Sequence, residues 1–230
     1  MDRNRAVLWN LDGTLIDSED LHWMSWRNTL ALEGIFINHN QFLSLFGQSN
    51  ESILMNWMDS PATPDRVKKI AKFKEELYQR RVRRYGIAPL PAAVALLRRL
   101  HVEGWQQAVV SSASRADIDA ALRVLACADL FQVVVGAEDL RTGKPAPEGF
   151  CSAASKLRIS PDHCIVVDSY QAGIEAAQRA GMKSIAVGRD ARLASADLTL
   201  TSLELLDAGD LDSLLRPNCV FAPSEYQLST

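Results

Sequence analysis

After Pro89 the chain alternates, with little interruption, between short continuous apolar runs and stretches whose apolar residues recur every three or four positions. No other feature constrains the fold as much. The runs predict strands over 106–111, 132–135, 164–167 and 183–187, and the stretches between them predict helices over 92–101, 115–125, 147–156 and 172–180. A strand as uniformly apolar as Cys164-Ile165-Val166-Val167 has to be covered on both faces. A parallel sheet with helices on either side does this, through right-handed crossovers. Another strand is expected over 6–11, where the apolar run stops at the turn-forming Asp12-Gly13-Thr14. The fold class is therefore α/β, a Rossmann-like doubly wound parallel sheet.

No strand pattern occurs between Ser18 and about Tyr85. Leu21, Met24 and Trp26 through Leu32, then Phe42 to Phe46, Ile53 to Met58 and Val67 to Leu77, fall at helical spacings. An all-helical block placed between the first strand and the rest of its sheet reads as a small inserted cap. The expected organisation is a core of residues 1–16 and 88–215, a helical cap of residues 17–87 and a loosely ordered tail of residues 216–230. Trp23, Trp26 and Trp57 are expected in the cap's core rather than as platforms for a sugar.

Charge narrows the partners. A net charge of −3 without basic clusters argues against nucleic acid and anionic membranes, both of which require Lys and Arg to neutralise phosphates. The one dense basic run, Arg80-Arg81-Val82-Arg83-Arg84, ends a predicted helix, where cations complement the carbonyl end of the dipole. No stretch approaches a membrane span, and the opening apolar run is too short for a signal peptide. Cys127, Cys151, Cys164 and Cys219 have neither metal-site nor disulfide-framework spacing. The expectation is a cytoplasmic protein whose partners are small molecules or other proteins.

Ligands of doubly wound sheets bind outside the carboxyl ends of the strands. Those ends read Asn10-Leu11-Asp12-Gly13-Thr14, Ser111-Ser112, Gly143-Lys144-Pro145 and Asp168-Ser169. A carboxylate, a hydroxyl, an ammonium and a further acidic position on one edge suit a phosphate and a magnesium ion, since phosphate needs donors and the metal needs hard oxygens. Taken singly, Ser112 could equally be the N-cap of the helix at Arg115, and Lys144 a plain surface lysine.

In combination these residues resemble the haloacid dehalogenase superfamily, and within it the β-phosphoglucomutase/CbbY-like branch of phosphatases and mutases. The likeness spans nearly the whole chain. It includes Asp17-Ser18-Glu19 with His22, the Gly-Lys-Pro-Ala-Pro turn, and Ala172-Gly173-Ile174-Glu175-Ala176-Ala177 followed by Ala180-Gly181-Met182. In that family the first Asp of D-x-D-G-T attacks phosphorus and the second serves as general acid and base. Asn10 stands at the first position and Asp12 at the second. An amide has no anionic oxygen for attack and no charge for a metal, so the resemblance implies that covalent catalysis is lost.

The resemblance also makes Ser112, with Ser111 beside it, the hydroxyl that holds the phosphoryl group, and Lys144 the cation that neutralises it. Thr14 completes the first loop. Relatives carry an acidic pair at the end of the strand expected over 164–167, and its second member binds Mg2+. An ungapped alignment puts Asp168 first and Ser169 second, while a one-residue slip would put Asp168 on the metal. The implied cofactor is thus Mg2+, at a site of Asn10, Asp12, Asp168 and Ser169 weakened at both Asn10 and Ser169. In the cap, Ser49 and Asn50 fall in the loop where relatives place an arginine on a distal phosphate. Lys74, with Glu75 and Tyr78, keeps the pattern of the cap lysine segment, and His22 matches a hinge histidine; the bland alternatives are a solvated helical lysine and a polar histidine at a helix start. Relatives move the cap over the site, and residues 16–18 and 86–89 would be the hinges.

Three functions are compatible with this reading. The first is a pseudoenzyme that binds a phosphorylated metabolite or a protein partner. The second is a Mg2+-dependent phosphatase or phosphomutase of small phosphate esters, inactivated by an exchange of Asp for Asn at position 10. The third is an assembly protein with a vestigial pocket, against which the retained Ser112 and Lys144 argue.

Overall fold

The structure, a computed structural model, describes residues 4–58, 63–189 and 191–216; the expected tail from 217 onward, with Cys219, lies outside the described residues. In chain order its first elements are β1 (Ala6–Trp9), β2 (Ile16–Asp17), α1 (Glu19–Leu32), α2 (His39–Leu45), α3 (Asn50–Trp57), α4 (Pro64–Tyr85) and β3 (Ala88–Pro89). There follow α5 (Ala93–Val102), β4 (Gln106–Val110), α6 (Arg115–Val124), β5 (Val133–Val135), α7 (Glu148–Leu157), β6 (Cys164–Asp168), α8 (Gln171–Arg179), β7 (Lys183–Val187), β8 (Leu198–Leu200) and α9 (Ala208–Leu215).

The sheet has six strands in the order β5-β4-β1-β6-β7-β8, all parallel. Side chains alternate across β1, and the alternation shows why its run is continuously apolar. Val7 and Trp9 pack with Leu96, Leu97 and Leu100 of α5 and with Ile118 and Leu122 of α6. Ala6 and Leu8 face the other way, toward Phe150 and Ala153 of α7 and Ala176 and Ala177 of α8. The one polar atom that Trp9 brings into this core is satisfied, because its Nε1 donates to the buried Gln107 Oε1 at 3.1 Å and Gln107 donates on to Leu97 O.

The chain leaves and re-enters β1's neighbourhood through a two-stranded antiparallel ribbon, in which Ile16 pairs with Pro89 and Asp17 with Ala88. Between those strands lies the helical block. Helix α4 begins at Thr63, whose side chain accepts from Arg66 N, with Pro64 at the first helical position, and it stops at Gly86 with a φ of 78°. The cap has a cluster of its own, including Trp26, Leu30, Phe42, Phe46, Ile53 and Val67; Trp26 meets Trp57 edge-on, so these tryptophans are packing residues. One residue of this cluster, Tyr170, comes from the core.

Three features differ from the sequence expectation. The first strand ends at Trp9 rather than at residue 11: Asn10 N still donates to Val167 O, but the chain then turns so that Leu11 O accepts from the amides of Thr14, Leu15 and Ile16. The β2–β3 ribbon was not expected, and neither were β8 and α9, which extend the sheet edge and cover one face. Among the described residues, no helix is long and apolar enough to cross a membrane.

Candidate functional site

β1 lies between β4 and β6, where the strand order reverses, and this brings the ends of all three strands to one point. Asn10, 3% exposed, sits directly after β1. Its Nδ2 donates to the backbone carbonyl of Asp12 at 2.7 Å and reaches Thr14 Oγ1 at 3.3 Å, while its Oδ1 accepts from Lys144 Nζ at 2.9 Å. The amide orientation is fixed by its partners, because a carbonyl can only accept and an ammonium can only donate. Thr14 Oγ1 in turn lies 3.0 Å from Ser169 Oγ. Gly13, with a φ of 68°, makes the tight turn that folds Thr14 back onto Asn10.

Lys144 also donates to Asp168 Oδ2 at 2.7 Å, in an ion pair whose side chains are 6% and 0% exposed. The other oxygen of Asp168 accepts from Tyr170 N at 3.0 Å. Gly173, in the first turn of α8, lies directly beneath this carboxylate: a Cβ there would fall 1.8 Å from Asp168 Oδ2. Both oxygens of Asp168 are therefore spent on the ion pair and the loop, not on open space.

The cap contributes to the other carboxylate. Asp12 Oδ1 accepts from Ser18 Oγ at 2.8 Å and pairs with His22 Nε2 at 3.2 Å, and His22 Nδ1 lies 2.9 Å from Lys74 Nζ. Since Lys74 can only donate, Nδ1 is the acceptor and Nε2 carries the proton that goes to Asp12. A neutral imidazole fits the electrostatics: burial and the Lys74 charge push His22 below its ordinary value, against the upward pull of Asp12. Burial raises Asp12, but the contact with His22, the Ser18 hydroxyl and the Lys74 charge together hold it below the usual carboxylate range. His22 stacks on Tyr78, with ring centroids 3.8 Å apart. Lys74, 2% exposed, is no solvated helical lysine; it lies over Trp26 and also reaches Glu75.

The remaining expected residues are less uniformly engaged. Asn50 Nδ2 reaches Glu75 Oε2 at 3.3 Å, beside Lys74. Ser49 caps α3 by accepting from Ser52 N and packs against Gly143. Ser111 Oγ accepts from Ala113 N. The alternative role for Ser112 as a helix cap is excluded, because Ser114 is the N-cap of α6 and accepts from Asp117 N. Ser112 instead lines a cavity of about 20 Å³ with Asn10, Asp12, His22, Asn50 and Lys74, enough for roughly one water.

Comparison with known proteins agrees with this geometry: residues 7–187 match the family described as haloacid dehalogenase-like hydrolase. The chain belongs to that family. It is 31% identical over 212 residues to validoxylamine A 7′-phosphate phosphatase of Streptomyces hygroscopicus subsp. limoneus, covering 86% of this chain and 94% of the relative. It is 30% identical over 215 residues to the β-phosphoglucomutase of Bacillus subtilis strain 168, covering 88% and 93%. The crystal structure of β-phosphoglucomutase from Clostridium difficile superposes with a TM-score of 0.81 at 26% identity, covering 92% of this chain and 96% of that one.

Haloacid dehalogenase-like phosphatases and phosphomutases generally use Mg2+, and the donor set here fits that ion poorly. Hydrogen bonds already engage Asp12 O, Thr14 Oγ1 and Ser169 Oγ, Asp168 is occupied by Lys144 and Tyr170 N, and Asp12 Oδ1 is held by Ser18 and His22. Among the described residues no group of three His, Cys, Asp or Glu side chains is arranged to hold a metal.

Tyr170 is the residue of this site that sequence reasoning missed. It is buried, its ring meets Phe46 edge-on at 4.7 Å, and its hydroxyl donates to Glu19 Oε2 at 3.0 Å. It also fills the space above Gly13 and beside Gly47. A core side chain is thus held inside the cap's cluster, against the turn at Gly13. Ser18, which donates to Asp12, was legible only as part of the Asp17-Ser18-Glu19 segment.

Proposed function

We propose that this haloacid dehalogenase-like protein is catalytically silent and binds a small phosphorylated molecule at the ends of β1, β4 and β6. The observation that carries the reading is Asn10: its amide faces Lys144, Asp12 O and Thr14, where phosphoryl transfer needs a carboxylate. A neutral amide oxygen is a poor nucleophile, and attack through it would leave a cationic imidate that has to shed an amide proton. Lys144 and Ser112 remain as groups that suit a phosphate. The named activities of the relatives favour a hydroxylated ligand such as a sugar or cyclitol phosphate. With room for roughly one water at the site, such a ligand needs the cap to shift outward, and a protein partner that holds the cap would compete with it or support it.

A second reading, an enzyme silenced by the single exchange at position 10, has one observation in its favour: the Lys74–His22–Asp12 chain is fully formed around an ionised acid/base candidate. One experiment separates the two. The protein is assayed with Mg2+ on p-nitrophenyl phosphate and β-glucose 1-phosphate, before and after Asn10→Asp. The first reading expects no turnover from either form, because Ser169 still withholds a second carboxylate. Turnover by the unaltered protein defeats it, and recovery on Asn10→Asp transfers the case to the second reading.

A further inference from the structure

The two departures from the family pattern at the strand ends are linked by a hydrogen-bond chain. From Asn10 it runs to Asp12 O at 2.7 Å and to Thr14 Oγ1 at 3.3 Å, and from Thr14 to Ser169 Oγ at 3.0 Å. Protons join three oxygens that would otherwise repel one another and call for a cation. The charges agree. Relative to the family pattern, an amide at position 10 and a hydroxyl at position 169 each remove one negative charge. Together they remove two, the amount a divalent cation would neutralise, and Lys144 against Asp168 and Asp12 leaves one net negative charge without any metal.

We infer that Asn10 and Ser169 are a compensated pair, which makes the strand-end site independent of divalent cations: the Asn10 amide protons and the Thr14–Ser169 hydroxyls take over the cohesion that a metal would supply, and an oxyanion is received by Lys144 and Ser112 alone. The oxyanion part of this inference rests on the proposed function; the metal part does not. A dication entering here would have to break the Asn10–Asp12 O bond, compete with Lys144 for Asp168, and compete with Ser18 and His22 for Asp12. Hard cations recover their dehydration cost only from several anionic or carbonyl oxygens, so exchange of solvent for this set is unfavourable.

The test has two arms on the full chain. In the first, Mn2+ alone is titrated while its free EPR signal is followed. The unaltered protein is expected to show no saturable uptake, and Asn10→Asp combined with Ser169→Asp is expected to gain a single site. Saturable uptake by the unaltered protein overturns the inference, whatever happens to the variant. In the second arm, orthophosphate binding is measured by calorimetry in EDTA and again in Mg2+. Equal affinities support the inference, and a gain of about tenfold or more with Mg2+ overturns it. If phosphate binds in neither buffer, the proposed ligand class fails, and the Mn2+ arm still decides whether the site has given up its metal.

Discussion

The protonation state of His22 leads to a prediction that can be worked through. The imidazole is buried between Lys74 Nζ, 2.9 Å from Nδ1, and Asp12 Oδ1, 3.2 Å from Nε2, with Glu75 beyond the lysine and Tyr78 stacked on its face. Burial and Lys74 lower its pKa in the fold, so the native state stays neutral at a pH where the unfolded chain, titrating near the ordinary 6.5, already takes up a proton. The unfolded state then binds more protons, and stability rises with pH across the interval. His22's contribution is complete above about pH 6.5 and is lost as the pH falls below it, at up to about 1.4 kcal/mol per pH unit. Between about pH 6.5 and 5 the loss reaches at most ~2 kcal/mol, or about 4–8 °C in Tm for a chain of this size. Thermal melts across that range, with His22→Gln as the comparison, provide the measurement. Glutamine can accept from Lys74 and donate to Asp12 without titrating, so the variant's stability should lose this slope. If His22→Gln leaves the slope unchanged, or if the unaltered protein becomes more stable on acidification, the neutral tautomer assigned here is wrong.

Two other perturbations probe the same structure. Lys144→Met leaves the Asp168 carboxylate buried with only the Tyr170 amide as a partner, and urea unfolding should register a loss of about 3–5 kcal/mol; a loss below about 1 kcal/mol would mean that the pair behaves like one on the surface. Tyr170→Ala removes a buried ring that joins core to cap, at a cost of about 3–5 kcal/mol, and amide exchange in α1–α3 should accelerate more than in β1 and β4, whereas uniform acceleration would contradict a local role for the ring.

What the sequence disclosed, and what it did not, follows from how far each interaction reaches along the chain. β7 matches its expected bounds because Lys183–Val187 is a buried strand that announces itself by composition. β8, by contrast, is three half-exposed residues at an edge, and its pairing with β7 provides the order that its own sequence lacks. The chemical identities of Asn10 and Ser169 were plain, but that both lie on one hydrogen-bond chain through Thr14 depends on β1 and β6 being neighbours. Ser112 and Ser114 look alike on paper, and only the start of α6 decides which of them caps it. Tyr170 was the hardest to foresee: nothing around it signals that a residue at the N-terminus of a core helix belongs to the cap's apolar cluster. In retrospect Gly13 and Gly47 are its trace, two positions kept free of side chains where the ring passes.

The short ribbon of β2 and β3 carries an architectural consequence. Asp17 and Ala88 are facing partners in an antiparallel pair, so the chain departs and returns at a single doorway. An excursion of that shape leaves the six-stranded sheet indifferent to its length and content, as a hairpin is indifferent to what decorates its tip. Helices could be gained, lost or exchanged beyond that doorway with the pairing of the sheet intact, which makes this the natural seam at which one scaffold acquires a different lid and, with it, different neighbours for Asp12 and Tyr170.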